Sequence, residues 1–309
     1  MDLRIRTQRL SKSFGDLVAV QDLDLEVGRG ELFGLVGPDG AGKTTTLRML
    51  AGVLPPSSGQ AEVAGVSVVT DPEGVKHHLA YMPQRFGLYA DLTVRENLDF
   101  YADLFEVPRN ELPARIDRLF AFSRLGPFQD RLAGNLSGGM KQKLGLCCAL
   151  IHHPEVLLLD EPTFGVDPIS RRDLWLIVHE MVAEGMTAIV STAYMEEAER
   201  FDRLALLNRG RVLDLDRPQA MQASLEGRVL ELEAVDLRAA RQVARDIEGV
   251  QHAGLFGDRI HLVVDSRDRD PQHLLSALEM VGVRSPRIRH TAASMEDVFL
   301  HRISEADAG

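Results

Sequence analysis

One nine-residue stretch limits the folds open to this chain more than any other. "GPDGAGKTT", residues 37–45, fits G-x-x-x-x-G-K-[ST]. Before it stands "ELFGLVG", a continuous apolar run with the pattern of a strand buried on both faces. After it stands "KTTTLRMLAG", an amphipathic helix closed by Gly52. Strand, glycine loop and helix in that order are the context the motif requires. Glycines let successive backbone N–H groups curl round phosphate oxygens, and the helix N-terminus adds its positive dipole end. Lys43 is placed to reach β- and γ-phosphates, and the Thr44 hydroxyl to ligate Mg²⁺. Gly37, Pro38, Asp39, Gly40, Ala41, Gly42 and Thr45 complete the loop. A glycine-rich turn with a chance lysine is the poorer account in this context.

A second stretch extends the same chemistry. "VLLLDEP" ends a buried strand on Asp160, which can hold Mg²⁺ through water. Glu161 follows, placed to polarise an attacking water. Alone, this reads as an acidic strand end that caps a helix. Downstream of a phosphate loop it reads as the other half of a nucleotide-hydrolysing site.

The remaining pattern sorts into regions. "LRIRTQRLSKSF" and "LVAVQDLDLEV" alternate as half-exposed antiparallel strands, and "GQAEVAGVSV" returns to strand pattern. From about residue 86 to 150, "TVRENLDFYADLF", "ELPARIDRLFAF" and "GMKQKLGLCCALI" follow helical spacing, a helical insertion in an α/β fold. "MTAIVST" is a further buried strand, and "RLALLNRGRVLDLDR" is a hairpin about Asn208-Arg209-Gly210. Near residue 226 the pattern restarts with the order βαββαβα, which suggests a ferredoxin-like sandwich. The domains expected are therefore 1–225, nucleotide-binding, and 226–309, a small accessory α+β domain.

Bulk properties exclude several classes. The net charge of −11 argues against nucleic acid as a partner, which needs a basic face. Cys147 and Cys148 are the two cysteines and are adjacent, so a disulfide framework is excluded and a reducing compartment fits. No run approaches the roughly 18 apolar residues that cross a bilayer. Any membrane association is expected to come through a partner. His152 and His153 have no companion ligands at metal spacing and read as a solvated turn.

Further motifs carry a specific resemblance. "LSGGMKQKL", residues 136–144, resembles the signature motif of ABC transporter ATPases and lies ahead of the Asp160 strand, as in that family. Gln84 in "YMPQ" matches the Q-loop glutamine, Asp167 in "GVDP" the D-loop aspartate, and Phe14 in "KSFG" the aromatic that stacks on adenine. The motifs occur in order over about residues 3–220. The resemblance implies a P-loop RecA-like core with an antiparallel β-subdomain and a helical subdomain. It implies ATP and Mg²⁺ as ligands, with Thr44, Gln84 and Asp160 toward the metal and Glu161 and Gln84 in catalysis. It also implies a head-to-tail pair of ATPase domains in which Ser137, Gly138 and Gly139 of one grip the γ-phosphate held by the other. Met140, where glutamine is frequent, and "SMEDVFL" near the carboxy terminus resemble the drug- and antibiotic-export subgroup with an ABC-2-type permease. "GPDGAGKTT", "MPQRFGLYADLTVRENL" and "GVDPISRRDLW" are similar to the first half of tandem-ATPase subunits in bacterial multidrug exporters, although this chain shows one ATPase domain. The expectation is a peripheral subunit at the cytoplasmic face of the inner membrane. Arg95 to Asn97 lie where the family docks its permease, with ordinary surface polarity an equal reading. A soluble ABC ATPase acting on nucleic acid or ribosomes, or a non-hydrolysing regulatory subunit, are the alternatives.

The sequence departs from the family at "IVSTAYMEEAERFD", residues 189–202. Ser191 and Thr192 match the family's Ser-Thr-His, but Ala193 stands at the histidine that contacts the γ-phosphate. Losing such an orienting group costs about 10²- to 10⁴-fold in rate. Two readings follow: a slow local site whose chain completes a competent site on a different ATPase, so that a heterodimer is favoured, or a site that still hydrolyses through Glu161 and Lys43.

Overall fold

A computed structural model describes residues 2–85 and 87–308. Phe86, where the helical insertion is expected to start, lies outside the described residues. Packing divides the chain into two units, Met1–Ala193 with Leu207–Val212, and Tyr194–Leu206 with Leu213–Gly309.

The first unit runs β1 (Leu3–Phe14), β2 (Leu17–Gly28), β3 (Leu32–Val36), α1 (Lys43–Leu50), β4 (Ser58–Val63), β5 (Val66–Ser67), α2 (Pro72–Lys76) and β6 (Leu79–Met82). It continues through α3 (Val94–Leu104), α4 (Leu112–Ser123), α5 (Gly138–Leu150), β7 (Val156–Asp160), α6 (Pro168–Ala183) and β8 (Thr187–Thr192). The alternating strands form an antiparallel sheet in the order β2-β1-β4-β5. The apolar strands form a parallel array in the order β3-β8-β7-β6. All five residues of β3 and of β7 are buried, as expected of strands covered on both faces.

Register decides where the functional loops emerge. Val36 pairs with Thr192, Asp160 with Ser191, and Met82 with Leu159. The carboxyl ends of β3, β8, β7 and β6 therefore finish at one edge. Ligands of open parallel sheets bind at that edge. The phosphate loop, Ala193, Glu161 and Gln84 all leave the sheet there.

The helical insertion comprises α3, α4 and α5. Thr93 and Glu96 cap α3 with a reciprocal box. Asn97 is fully buried and holds the preceding loop, accepting from the Tyr89 N–H at 3.0 Å and donating to the carbonyls of Tyr89, Leu92 and Thr93. Two of the three residues in "REN" thus have structural duties, and Arg95 pairs with Asp99. Asn97→Ala strands these backbone groups. It is expected to lower stability by about 2 kcal/mol or more, read from denaturant unfolding. Cys147 and Cys148 are buried in α5, and burial pushes the Cys147 thiol up to about 12. Trp175 of α6 is in the core. His152 is not simply solvated: its ring stacks on Phe105 with centroids 4.0 Å apart.

The second unit contains a six-residue 3₁₀ turn, Met195–Arg200. β9 (Arg203–Asn208) and β10 (Arg211–Asp216) follow and are shared between the units, their hairpin end Leu207–Val212 belonging to the first, with Arg209 at a left-handed φ of 47° in the expected turn. Next come α7 (Pro218–Ala223), β11 (Val229–Glu233), α8 (Leu237–Arg245), β12 (Val250–Phe256), β13 (Arg259–Val264), α9 (Pro271–Met280), β14 (Arg287–His290) and α10 (Met295–Ala308). The sheet order β12-β13-β11-β14, antiparallel throughout, is that of a ferredoxin-like sandwich. Leu230, Leu232, Ile260 and Leu262 meet Ala240, Ala244, Leu274 and Leu278 of α8 and α9 in its core.

The division does not follow the single boundary near residue 225 that the sequence suggests. α10 packs on β12 and β13, and also on α7 and the turn Met195–Arg200. Arg302 joins them, donating to Asp214 at 2.7 Å. These contacts draw residues well before 225 into the second unit.

Candidate functional site

Local geometry of the phosphate loop follows from its glycines. Gly42 opens α1 at φ 103°, and a Cβ there would lie 2.5 Å from the Ala19 carbonyl. With no side chain capping α1, its first N–H groups face outward. Gly37 N donates to Thr192 O at 3.2 Å, which ties the loop to the residue before Ala193.

Three polar side chains converge on Asp160, which is 2% exposed. Thr44 Oγ1 donates to Oδ1 at 2.9 Å, Ser191 Oγ to Oδ1 at 2.7 Å, and the Tyr81 hydroxyl to Oδ2 at 3.3 Å. Burial, then the Asp160 charge, holds the Tyr81 phenol above its usual range. Hydroxyl and carboxylate oxygens of this kind suit a small hard dication, which keeps water ligands and takes one or two protein oxygens. The residues present therefore fit Mg²⁺ beside a polyphosphate.

Glu161 occupies a left-handed backbone conformation, φ 48°, unusual for a side chain and a mark of a tightly determined position. Its N–H donates to Ser191 O at 3.1 Å and Ser191 Oγ at 3.0 Å. One carboxylate oxygen pairs with Lys43 Nζ at 3.1 Å, and the other accepts from Gln84 Nε2 at 3.0 Å. Lys43 also donates to the carbonyls of Gly37 and Pro38. The structure thus brings Lys43, Thr44, Gln84, Asp160 and Glu161 into one network.

These groups open on a cleft of about 570 Å³. Its walls are Phe14, Leu17–Ala19, Asp39–Thr45, Gln84, Glu161 and Arg209. Phe14 is half exposed at this wall, where a planar base could stack. Gly37 and Pro38 precede the lining residues.

Ser137, Gly138, Gly139 and Asp167 do not line the cleft. They form a second cluster in which the N-termini of α5 and α6 meet. Ser137 caps α5, accepting from Met140 N at 3.3 Å. Asp167 caps α6, accepting from Ile169 and Ser170 N–H groups, which hold its carboxyl below the usual range, the Ser170 bond most. A Cβ on Gly139 would lie 2.2 Å from Ser170 Oγ, so glycine permits this approach. Nothing lies within 4 Å of the Cβ position on Gly138, so that side is open.

Sequence reading does not reach every member of the network. Tyr81 and Ser191 stand beside recognised motifs but bind Asp160 through register alone. Arg209 is legible as a turn residue but not as part of the cleft.

Comparison with known proteins bears on the family and the fold. Residues 20–164 match the family model for ABC transporters. The chain is 43% identical over 309 residues to the probable multidrug ABC transporter ATP-binding protein YbhF of Escherichia coli (strain K12), covering 99% of this chain and 53% of that protein. It thus spans about half the length of that curated relative. It is 36% identical over 295 residues to the Nod factor export ATP-binding protein I of Burkholderia lata, covering 95% of this chain and 94% of the relative. A solved structure of an ATP binding subunit of an ABC transporter superposes with a TM-score of 0.66 and 29% identity, over 72% of this chain and 93% of that one.

Proposed function

Because this chain belongs to the family of ABC transporter ATP-binding proteins, we propose that it is the ATP-binding subunit of an exporter, coupling ATP binding and hydrolysis to transport by a separate permease. The observation that carries this reading is the network joining Lys43, Glu161, Gln84, Asp160 and Thr44 at one sheet edge.

In this reading the loop Gly37–Thr45 and Lys43 bind the phosphates of ATP, and Phe14 stacks on its adenine. Thr44, Asp160 and Gln84 hold Mg²⁺, which when bound screens phosphate charge. Glu161 accepts a proton from the attacking water, and Gln84 fixes the orientation of that carboxylate. Ser137, Gly138 and Gly139 serve the nucleotide of a second ATPase domain, and Asp167 lies beside them at the same interface.

Ala193 follows the strand residue whose carbonyl holds Gly37, and its methyl group neither donates nor accepts a proton. The local site is therefore slow, and the chain works as a heterodimer whose competent nucleotide is completed by Ser137. The permease, of ABC-2 type, docks on the helical subdomain. Tyr89, Phe100 and Leu104 are exposed there, and the Tyr89 and Phe100 rings meet edge-on at 4.5 Å. No helix among the described residues is long and apolar enough to cross a membrane. Placement at the cytoplasmic face of the cell membrane therefore comes through that permease.

The test is steady-state ATP hydrolysis by the purified chain, alone and with a permease and a histidine-bearing second ATPase. Turnover should be low alone and rise in the assembly. Robust turnover by the chain alone that Glu161→Gln eliminates overturns the asymmetric model.

A further inference from the structure

Asp160 is a buried carboxylate without a cationic partner. Among the described residues no lysine, arginine or histidine forms an ion pair with it, and Lys43 pairs with Glu161 instead. Three hydroxyls hold it: Thr44 and Ser191 on Oδ1, and Tyr81 on Oδ2. Buried charges are paired or coordinate metals. A carboxylate satisfied by neutral donors keeps its negative charge for a cation that arrives with the ligand.

Of the three donors, Ser191 is the most enclosed. It is fully buried in β8 and is not among the residues that line the cleft. A hydroxyl so placed has to find its partners inside the protein. Its oxygen accepts the Glu161 N–H at 3.0 Å, and its one proton goes to Asp160 Oδ1 at 2.7 Å. The Glu161 N–H also reaches Ser191 O at 3.1 Å, so the backbone of Glu161 has a second hold. The distinct contribution of the hydroxyl is therefore to Asp160. Thr44 Oγ1 donates to the same Oδ1 at 2.9 Å. With its proton spent there, the Thr44 oxygen presents its lone pairs elsewhere, as a metal ligand must.

We propose that Ser191 is a positioning residue for Mg²⁺: its hydroxyl fixes Asp160 Oδ1, and through that oxygen the Thr44 hydroxyl, in the orientation the metal requires. This rests on the reading of the site as one for Mg²⁺ and ATP. Mg²⁺ demands near-octahedral geometry, so a carboxylate free to turn holds it less well. Groups that orient a metal's ligands without touching the metal tune its affinity in this way. Ser191 acts through Asp160 and not on the nucleotide.

The experiment is calorimetric titration of the full chain with the non-hydrolysable β,γ-imido analogue of ATP, once with Mg²⁺ and once with EDTA. The ratio of the two affinities is the gain from the metal. Ser191→Ala removes the hydroxyl and should cut that gain about tenfold. Its affinity in EDTA should stay within about twofold of the parent, because Ser191 lies outside the cleft lining. Ser191→Thr keeps the hydroxyl on a residue suited to a strand and should keep most of the gain. Thermal melts of the three chains show that each is folded. A folded Ala variant with the parent's gain overturns the proposal. So does an Ala variant weakened equally with and without metal, the mark of general damage to the strand. A Thr variant that melts like the parent yet gains as little as the Ala one overturns it as well. A parent that binds the analogue no better with Mg²⁺ than in EDTA lacks the metal site itself, and the role of Ser191 falls with it. A parent with the full gain, matched by the Ala variant, removes Ser191 alone and leaves the metal site standing.

Discussion

A Lys43→Ala chain binds MgATP at least about a hundredfold more weakly than its parent, because the change removes a buried, multiply bonded charge. Lys43 is 4% exposed, and its ammonium group is held by two loop carbonyls and by Glu161. Those contacts fix its head group within the phosphate loop. Alanine deletes the charge that meets the phosphates and leaves Glu161, 12% exposed, without that counter-charge in the same space. The empty loop therefore repels a polyanion where it had attracted one. Titration calorimetry reads the loss, and a thermal melt of the nucleotide-free variant shows whether the fold survives. Unchanged affinity in a folded variant removes the assignment of this loop.

Ser137→Arg, in the assembled transporter, lowers turnover by about 10²-fold or more, the cost of losing donors aimed at a reacting phosphate. Glu161→Gln in the same assembly changes it less than about twofold, because that carboxylate serves the site that Ala193 has slowed. The contrast is unusual, since Glu161 is the group that handles the water. It follows from the separation of the two clusters: Ser137 and Gly138 are not among the residues that line the cleft of Glu161. Ala193→His is expected to raise hydrolysis by the chain's own site about tenfold or more. Steady-state phosphate release from the three assemblies decides the matter. Equal losses from Ser137→Arg and Glu161→Gln would sink the asymmetric model and leave Ala193 a tolerated change.

Much of the fold was legible because its main elements carry their own patterns. The phosphate loop demands glycines, lysine and threonine at fixed spacing, and β3 and β7 are unbroken apolar runs. The βαββαβα order near the carboxy terminus shows each strand between clear breaks. β6 was not legible, since four residues show no period, yet it delivers Gln84 to Glu161. Glu96 and Asn97 look like surface polarity in a string of letters. Only the turn that folds back over α3 shows Asn97 holding four backbone groups. The same holds for Ser191: its bond to Asp160 comes from strand register, which brings distant residues together without a local mark.

The interleaved division of the chain has a consequence for its synthesis. The first unit stays incomplete until Leu207–Val212 has emerged, and by then Tyr194–Leu206 of the second unit is already made. That early segment, with Glu197 and Ala198 buried, packs against α10, which is made near the end of the described chain. Contacts so distant in sequence form slowly, and for most of that interval the turn that follows Ala193 has α7 but not α10 against it. No single cut releases either unit whole. A graft between relatives needs junctions on both sides of Leu207–Val212, and a chain stopped at residue 225 leaves that turn with α7 but without α10.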